Sequence, residues 1–313
     1  MVELKEKYPL TIVSSALEMS RSGIYYLLSQ QDRVMNKLEK IREKYSHLKY
    51  IFDSLCREFP KYGYRRIRIM LRRRHNILMS KKAVQWVMKA FNLKLPTKKK
   101  RPPRPRAEKM EIVRPYQLWQ TDLTKVWVNG TGWMYFFAVI DCFTREIVGW
   151  CFSLFASAKE ALKALEMAVD NHFPDGVPEG LGLTLNSDNG CQFGARRFQA
   201  AVKVFGFAFT RTAYDTPEDN AYIESFFGKF KEEEVWCKEY ESPFEAERSI
   251  AEWIYKYNHE RIHSSLNYLT PVEFRVGWFQ KQAIGVAQDQ FLKVDEGFDT
   301  QVKIHLDQLV GVS

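Results

Sequence analysis

The chain has 313 residues, of which 45% are hydrophobic and 27% charged, a composition typical of a folded protein of one or two domains. No apolar run approaches the roughly 20 residues of a membrane span, and the first ten residues lack the apolar stretch of a secretory signal. Five scattered cysteines without a CxxC pair argue against a zinc ribbon and a disulfide scaffold. We therefore expect a cytoplasmic protein with no membrane partner.

Charge divides the chain into two parts. Residues 1–110 carry 28 Lys or Arg against 9 Asp or Glu, a net charge of +19, whereas the remainder has a net charge of −10. No acidic residue lies between Glu58 and Glu108. A basic block of this length is typical of polyanion binding. It predicts nucleic-acid binding by the N-terminal part, in preference to a membrane surface.

The first hundred residues show helical patterns. Residues 8–30 predict two short helices, followed by a polar stretch over 31–46. Apolar residues at helical spacing then predict three helices between residues 48 and 91, with Ser80 as the N-cap of the last. This arrangement favours a helix-turn-helix module in a region 1–97, with a plain helical bundle as the alternative. The basic, proline-rich segment within 98–110 predicts an extended linker.

From residue 116 the pattern changes to strands and then to alternating helices and strands. Asn129-Gly130 predicts a hairpin between the first two strands. The predicted strands are 116–128, 133–141, 147–155, 181–187 and 206–210, and the predicted helices are 159–171, 194–204, 217–236 and 245–262. This order predicts an α/β domain over 111–276 with a mixed sheet covered by helices. Residues 277–313 form a tail to which we assign no role.

Three acidic residues occupy positions that favour chemistry. Asp122 falls within the first strand, where burying a charge is costly unless the charge is paired or binds a metal ion. Asp188 follows a short apolar strand, and Glu224 lies on a helix with an apolar core-facing stripe. Lys231 follows two turns later, about 20° from Glu224 around the helix. Such carboxylates can hold two divalent ions about 3.5–4 Å apart for phosphodiester chemistry, and Mg²⁺ prefers such oxygen ligands.

The sequence motifs around these acids resemble those of a known family. WQTD (119–122), NSDNGCQF (186–193) and DNAYIESFFGKFKEE (219–233) resemble the catalytic signatures of the DDE superfamily of transposases and retroviral integrases. The 35 residues between Asp188 and Glu224 match its spacing. FPKYGYRRIRIMLRR (59–73) is similar to the preceding helix-turn-helix. The nearest resemblance is to the second-frame (OrfB) transposase of bacterial insertion sequences expressed by frameshifting.

This resemblance implies a ribonuclease-H-like catalytic core preceded by an all-α helix-turn-helix region. It implies Asp122, Asp188 and Glu224 as ligands of two Mg²⁺ ions, with Mn²⁺ as a substitute. The implied reaction is cleavage at transposon ends followed by strand transfer to a target. Implied partners are transposon-end and target DNA, further copies of the chain, and an upstream-frame (OrfA-like) protein or fusion, in a bacterial, nucleoid-associated location.

Basic and polar residues form the candidate DNA contacts. Lys231 matches the family's basic residue after the glutamate, and Asn220 is expected either to contact DNA and the site or to cap its helix. The remaining candidates are Arg65, Arg66, Lys81, Lys82, Lys98, Lys99, Lys100 and Arg101.

Two other functions remain as alternatives. A catalytically silent DNA-binding regulator derived from a transposase would keep the basic region without using the acids. His259 and His263 fit the HExxH pattern on a predicted helix, which would indicate a zinc metalloprotease. No convincing third ligand follows, and a protease has no need of the basic region.

Overall fold

The computed structural model describes residues 7–93, 95, 111–212 and 220–284, and the chain divides into two compact units, Met1–Pro102 and Pro103–Ser313. Each unit has its own buried apolar residues. All five cysteines are free. No described helix combines the length and apolar character needed to cross a membrane.

The described part of the first unit is helical. Its α-helices are α1 (Leu10–Ala16), α2 (Arg21–Lys44), α3 (Lys49–Glu58), α4 (Tyr64–His75) and α5 (Lys81–Ala90). The prediction of a short second helix is wrong, because α2 runs through the polar stretch 31–46. Its N-cap Ser20 accepts a hydrogen bond from Gly23 N, and no proline follows, so good helix formers continue the helix for 24 residues.

Helices α4 and α5 pack against each other through a tight connection. Asn76 ends α4 in the left-handed conformation at φ 53°. Ser80 Oγ accepts from Ala83 N at 3.2 Å, which confirms the predicted N-cap of α5. The core of this unit includes six nearly inaccessible side chains: Phe52, Leu55, Ile67, Leu71, Val84 and Val87.

The second unit is built on a five-stranded mixed sheet in the order β3-β2-β1-β4-β5. The strands are β1 (Leu118–Val128), β2 (Gly132–Asp141), β3 (Ile147–Ser153), β4 (Thr184–Ser187) and β5 (Ala208–Arg211). Strands β1 to β3 form an antiparallel meander, whereas β4 and β5 run parallel to β1. Gly130 adopts φ +68° in the β1–β2 turn, which confirms the predicted hairpin.

Helices cover both faces of this sheet. They are α6 (Ala158–His172), α7 (Cys191–Gly194), α8 (Arg196–Val204), α9 (Ala221–Glu233) and α10 (Pro243–His259). One core lies against α6 and α8, and the other lies against α9 and α10. Gly149 of β3 lets α6 approach closely, because an added Cβ would collide with the Ala164 carbonyl oxygen and with Ala168.

The core under α9 and α10 is rich in aromatic rings. Phe136 of β2 lies 4.7 Å from Phe230 of α9 between ring centroids, and Phe230 lies 5.2 Å from Trp253 of α10. Burying one such side chain stabilises the fold by roughly 1.5–3 kcal/mol. This packing fixes α9, and therefore Glu224, against the sheet.

The last described residues pack within the second unit. Residues 271–284 are helical, and the Phe279 ring lies 5.9 Å from that of Tyr116. Arg275 donates through Nε to Glu146 at 2.6 Å. The boundary expected at residue 276 falls inside this helical segment.

Candidate active site

Two of the three predicted acids come together through parallel strands. Thr121 of β1 pairs with Ser187 of β4, so the next residues along each strand, Asp122 and Asp188, follow at neighbouring positions. Asp122 is the fifth residue of β1, and Asp188 comes directly after β4 ends. Asp188 therefore lies at the carboxyl end of β4, where open sheets place ligand sites, and the register brings Asp122 of β1 alongside it.

Gln120 positions the third acid. Its Oε1 accepts hydrogen bonds from Tyr222 N at 3.2 Å and from Ile223 N at 3.1 Å, in the first turn of α9. Gln120 and Asp122 are two residues apart on β1 and therefore share a face of the sheet. This glutamine holds the start of α9 against the part of β1 that carries Asp122. Glu224 is the residue directly after the two whose N–H groups Gln120 accepts.

Sequence reasoning missed Gln120. A polar amide in an otherwise buried strand, two residues before Asp122, predicts a structural role, because a buried amide needs hydrogen-bond partners. Gln120 is 1% exposed.

Asn220, which was expected to cap α9 or contact DNA, occupies the N-cap position without a side-chain cap hydrogen bond. Asn220 is 4% exposed, and its Oδ1 has no hydrogen-bond partner among the described residues.

The pKa of Asp122 responds to the charges of the other candidate residues. Burial first, and then the carboxylate of Asp188, raise the pKa of Asp122 from 3.8 to about 7, and Glu224 adds to this increase. A 2.7 Å hydrogen bond from Leu123 N and the positive charge of Lys231 act in the opposite direction. Asp188, Glu224 and Lys231 are therefore within electrostatic reach of Asp122.

The carboxylate oxygens do not gather into a metal-binding cluster. Across the described residues, which include all three acids, no group of three His, Cys, Asp or Glu side chains is arranged to hold a metal ion. Asp188 Oδ1 accepts from Gly190 N at 2.9 Å, and Glu224 is exposed on α9.

The basic candidates fall into two groups. Arg65, Lys81 and Lys82 are exposed on the helical unit, whereas Arg66 is half-buried with its guanidinium 5.2 Å from the Tyr62 ring centroid. Lys81 and Lys82 open α5, where the helix dipole disfavours cations unless an anion is present. Lys98, Lys99, Lys100 and Arg101 lie outside the described residues.

The structure contradicts the predicted helical HExxH site. Helix α10 ends at His259, where the sequence predicted residue 262, so the two histidines do not share a helix face. His259 stacks on Tyr255 at 4.4 Å between ring centroids. His263 lies beyond the helix in a β-bridge with Leu269. The proposed zinc pair is therefore not formed.

A second buried polar cluster lies around Asp141, the last residue of β2. Asp141, which is 1% exposed, accepts hydrogen bonds from Tyr116 N, Trp119 Nε1 and Thr144 N. Nearby, Tyr116 Oη lies 3.1 Å from His172 Nδ1. Burial, aided by the Arg275 charge, lowers the pKa of His172 to about 4. Glu146 lies 4.0 Å from His172, but it is paired with Arg275 and leaves the imidazole neutral.

Comparison with known proteins agrees with this architecture. Residues 113–217 and 206–271 match two integrase core domain families, and residues 32–101 match an HTH-like domain. The chain is 31% identical over 287 residues to InsK, the transposase assigned to insertion sequence element IS150 of Escherichia coli (strain K12), covering 87% of this chain and 95% of that protein. It is 26% identical over 272 residues to the Escherichia coli transposase InsD of insertion element IS2, covering 84% and 90%.

Among solved structures, the chain is similar to the HTLV-2 integrase catalytic core domain in complex with magnesium. The identity is 15%, the coverage is 52% of this chain and 98% of that one, and the TM-score is 0.40. The near full-length match to an insertion-sequence transposase and the integrase-core and HTH-like matches lead to one conclusion. The chain belongs to the OrfB-type transposases of bacterial insertion sequences, in the DDE and retroviral-integrase superfamily, and is a DDE polynucleotidyl transferase.

Proposed function

We propose that Asp122, Asp188 and Glu224 are the catalytic residues of a Mg²⁺-dependent transposase that cleaves transposon ends and transfers the strand. The observation that carries this proposal is geometric: the register of β1 and β4 puts Asp122 and Asp188 at neighbouring positions, and Gln120 of β1 holds the first turn of the helix that carries Glu224. The charges of Asp188, Glu224 and Lys231 all act on the pKa of Asp122, which supports placing these residues in one site.

The donor set fits a pair of divalent cations. Carboxylate oxygens are the hard ligands that Mg²⁺ and Mn²⁺ prefer. Asp122, Asp188 and Glu224 would hold the ions, which when bound supply charge stabilisation at the attacking and leaving oxygens. A bound cation would also offset the burial and the neighbouring charges of Asp188 and Glu224 that raise the pKa of Asp122.

The chain's own residues supply positioning. The Leu123 N–H fixes one oxygen of Asp122, and Gln120 fixes the start of the helix that carries Glu224. Lys231 lies on the same side of α9 as Glu224, about 20° away around the axis. We assign it the role of holding a phosphate of the DNA substrate next to the carboxylates.

We infer that the region 1–97 binds DNA and that the linker 98–110 follows the phosphate backbone. The exposed Lys81 and Lys82 at the start of α5 and the exposed Arg65 on α4 provide cations on one unit. Lys98 to Arg101 extend the same charge in the linker. The working enzyme is expected to be a multimer on two ends and a target, with an OrfA-like partner or fusion contributing to end recognition.

The test uses purified full-length protein and a duplex copied from the inverted repeats that flank its gene. Asp122→Asn, Asp188→Asn and Glu224→Gln are each expected to abolish Mg²⁺-dependent end cleavage while DNA binding persists. Asp170→Asn, at an exposed acid of α6, is the matched control and should cleave normally. Near-normal cleavage by a site variant would remove that residue from the site.

A direct metal measurement complements the cleavage assay. Isothermal titration with Mn²⁺ should detect binding to the wild-type chain and a large loss of affinity in Asp122→Asn and Asp188→Asn. Mn²⁺ binding that is unchanged in both variants would contradict the proposed ligands. Wild-type protein that binds Mn²⁺ and end DNA but never cleaves, alone or with an OrfA-like partner, would favour the silent regulator.

A further inference from the structure

Helix α9 presents a third face that the catalytic site does not use. Its buried residues face the sheet, and Glu224 and Lys231 lie on one side of that core stripe. Tyr222 and Lys229 each lie two residues from one of these, which places them about 160° away around the helix. Tyr222, Ser225 and Lys229 therefore form a separate polar face, about 100–160° around the helix from Glu224.

This face lines a cavity of about 300 Å³. The cavity lies between α9, the turn that follows β2, and the segment after α10. Its polar lining residues are Arg145, Tyr222, Ser225, Lys229, His263 and Ser265. None of the described residues that line it is acidic.

Arg145 is the strongest indication of a ligand. This residue adopts φ +65°, and its guanidinium carbon lies 3.7 Å from the Tyr222 ring centroid. Its Nη1 is buried, and within the described residues it has no hydrogen-bond partner. A buried guanidinium N–H without an acceptor is costly, so its persistence indicates that an acceptor comes from outside the described residues.

The two acids near Arg145 in the turn, Asp141 and Glu146, are hydrogen-bonded to other groups. Asp141 accepts from Tyr116 N, Phe143 N and Thr144 N, and Glu146 is paired with Arg275. On α9, Lys229 Nζ donates to Ser225 Oγ at 3.1 Å, so this ammonium faces a hydroxyl at the cavity. Two cations and two serine hydroxyls, around a space whose described lining contains no carboxylate, match the charge and hydrogen-bonding needs of a phosphate group.

We propose that this cavity, the Arg145 pocket, binds a phosphate group of the DNA backbone at a position separate from the carboxylate site. The proposal rests on DNA being the substrate. It gives the core two phosphate contacts on different sides of α9, at Lys231 and at Arg145. A DNA segment that passes the Arg145 pocket is thereby distinct from the strand held at Asp122.

The test measures DNA binding without divalent cations, so that cleavage plays no part. Fluorescence anisotropy with a random-sequence duplex in EDTA is compared for wild type, Arg145→Gln, Arg145→Lys and Lys229→Gln. Lys163→Gln, at an exposed lysine of α6, is the matched control. Arg145→Gln and Lys229→Gln are expected to weaken binding by about tenfold, in line with a lost charge-assisted hydrogen bond. Each should also reduce the slope of log K against log salt by about 0.9.

Arg145→Lys should recover part of the affinity because it restores the charge without the planar fork. Melting temperatures establish that each variant is folded, and Lys229→Gln on the helix surface carries the test if Arg145→Gln does not fold. Unchanged affinity and slope in both glutamine variants, or an equal loss in Lys163→Gln, would overturn the proposal.

Inorganic phosphate distinguishes the two sources of the anion. At constant ionic strength, phosphate should raise the melting temperature of the wild type more than that of Arg145→Gln. If phosphate stabilises only the wild type while DNA affinity is unchanged, the pocket is a small-anion site and the DNA assignment is wrong. The carboxylate variants are read out by cleavage and Mn²⁺ binding, whereas the Arg145 pocket is read out by DNA affinity in EDTA, so failure of the catalytic proposal is separable from failure of this one.

Discussion

The hydrogen bonds from α9 to Gln120 provide a sharp test of how the site is held. Replacing Gln120 with Leu keeps a similar side-chain volume but removes the acceptor for Tyr222 N and Ile223 N. Ile223 is fully buried, so its N–H cannot turn to water, whereas half-buried Tyr222 is partly able to do so.

The magnitude follows from these two groups. Leaving a buried N–H without a partner costs about 1–3 kcal/mol, and losing a helix N-cap acceptor costs about 0.5–2 kcal/mol. Leu recovers some free energy by burying apolar surface in place of an amide. We therefore expect Gln120→Leu to lower the free energy of unfolding by about 2–4 kcal/mol.

Urea denaturation followed by tryptophan fluorescence measures this loss, with Gln199→Leu at an exposed position of α8 as the control. The control should remain within about 0.5 kcal/mol of the wild type. Because α9 carries Glu224, end cleavage by Gln120→Leu should also fall under conditions in which the variant is fully folded. Stability equal to that of the control, or full cleavage activity, would refute the positioning role of Gln120.

Four further predictions follow from other parts of the molecule. Asp122→Asn should stabilise the metal-free protein at pH 8, because the charged form is disfavoured when the pKa is raised to about 7; thermal melts should show the gain shrinking as the pH falls from 7 towards 4. His172, with its pKa lowered to about 4, should make the wild type lose stability as the pH falls from 6.5 to 4, and a flatter profile is expected for His172→Gln. Gly149→Ala should reduce the melting temperature strongly, since its Cβ has no room beside α6, and an unchanged value would contradict that packing. Replacing Lys81 and Lys82 together with Gln should weaken DNA binding and lower its salt dependence, as measured by anisotropy over a salt series.

Local signals in the sequence account for the elements and for the positions of the acids. Ser80 as a cap and Asn129-Gly130 as a turn depend on backbone preferences of a few neighbouring residues, and both are found as predicted. The apolar stripe of α9 identified the buried face and thereby the side on which Glu224 lies. Where local signals conflicted, as in α2 and at the end of α10, the predicted ends were wrong, because capping and packing decide where a helix stops.

The family, the mixed α/β class, the basic N-terminal region and the positions of the three acids can all be predicted from the chain, because each depends on local periodicity, charge or a contiguous motif. The partners that these residues acquire cannot be predicted in this way. The capping of α9 by Gln120, the adjacency of Asp122 and Asp188, and the stacking of Arg145 on Tyr222 join residues far apart in the chain. Such contacts depend on sheet order and strand register, and these are set by the packing of the whole core.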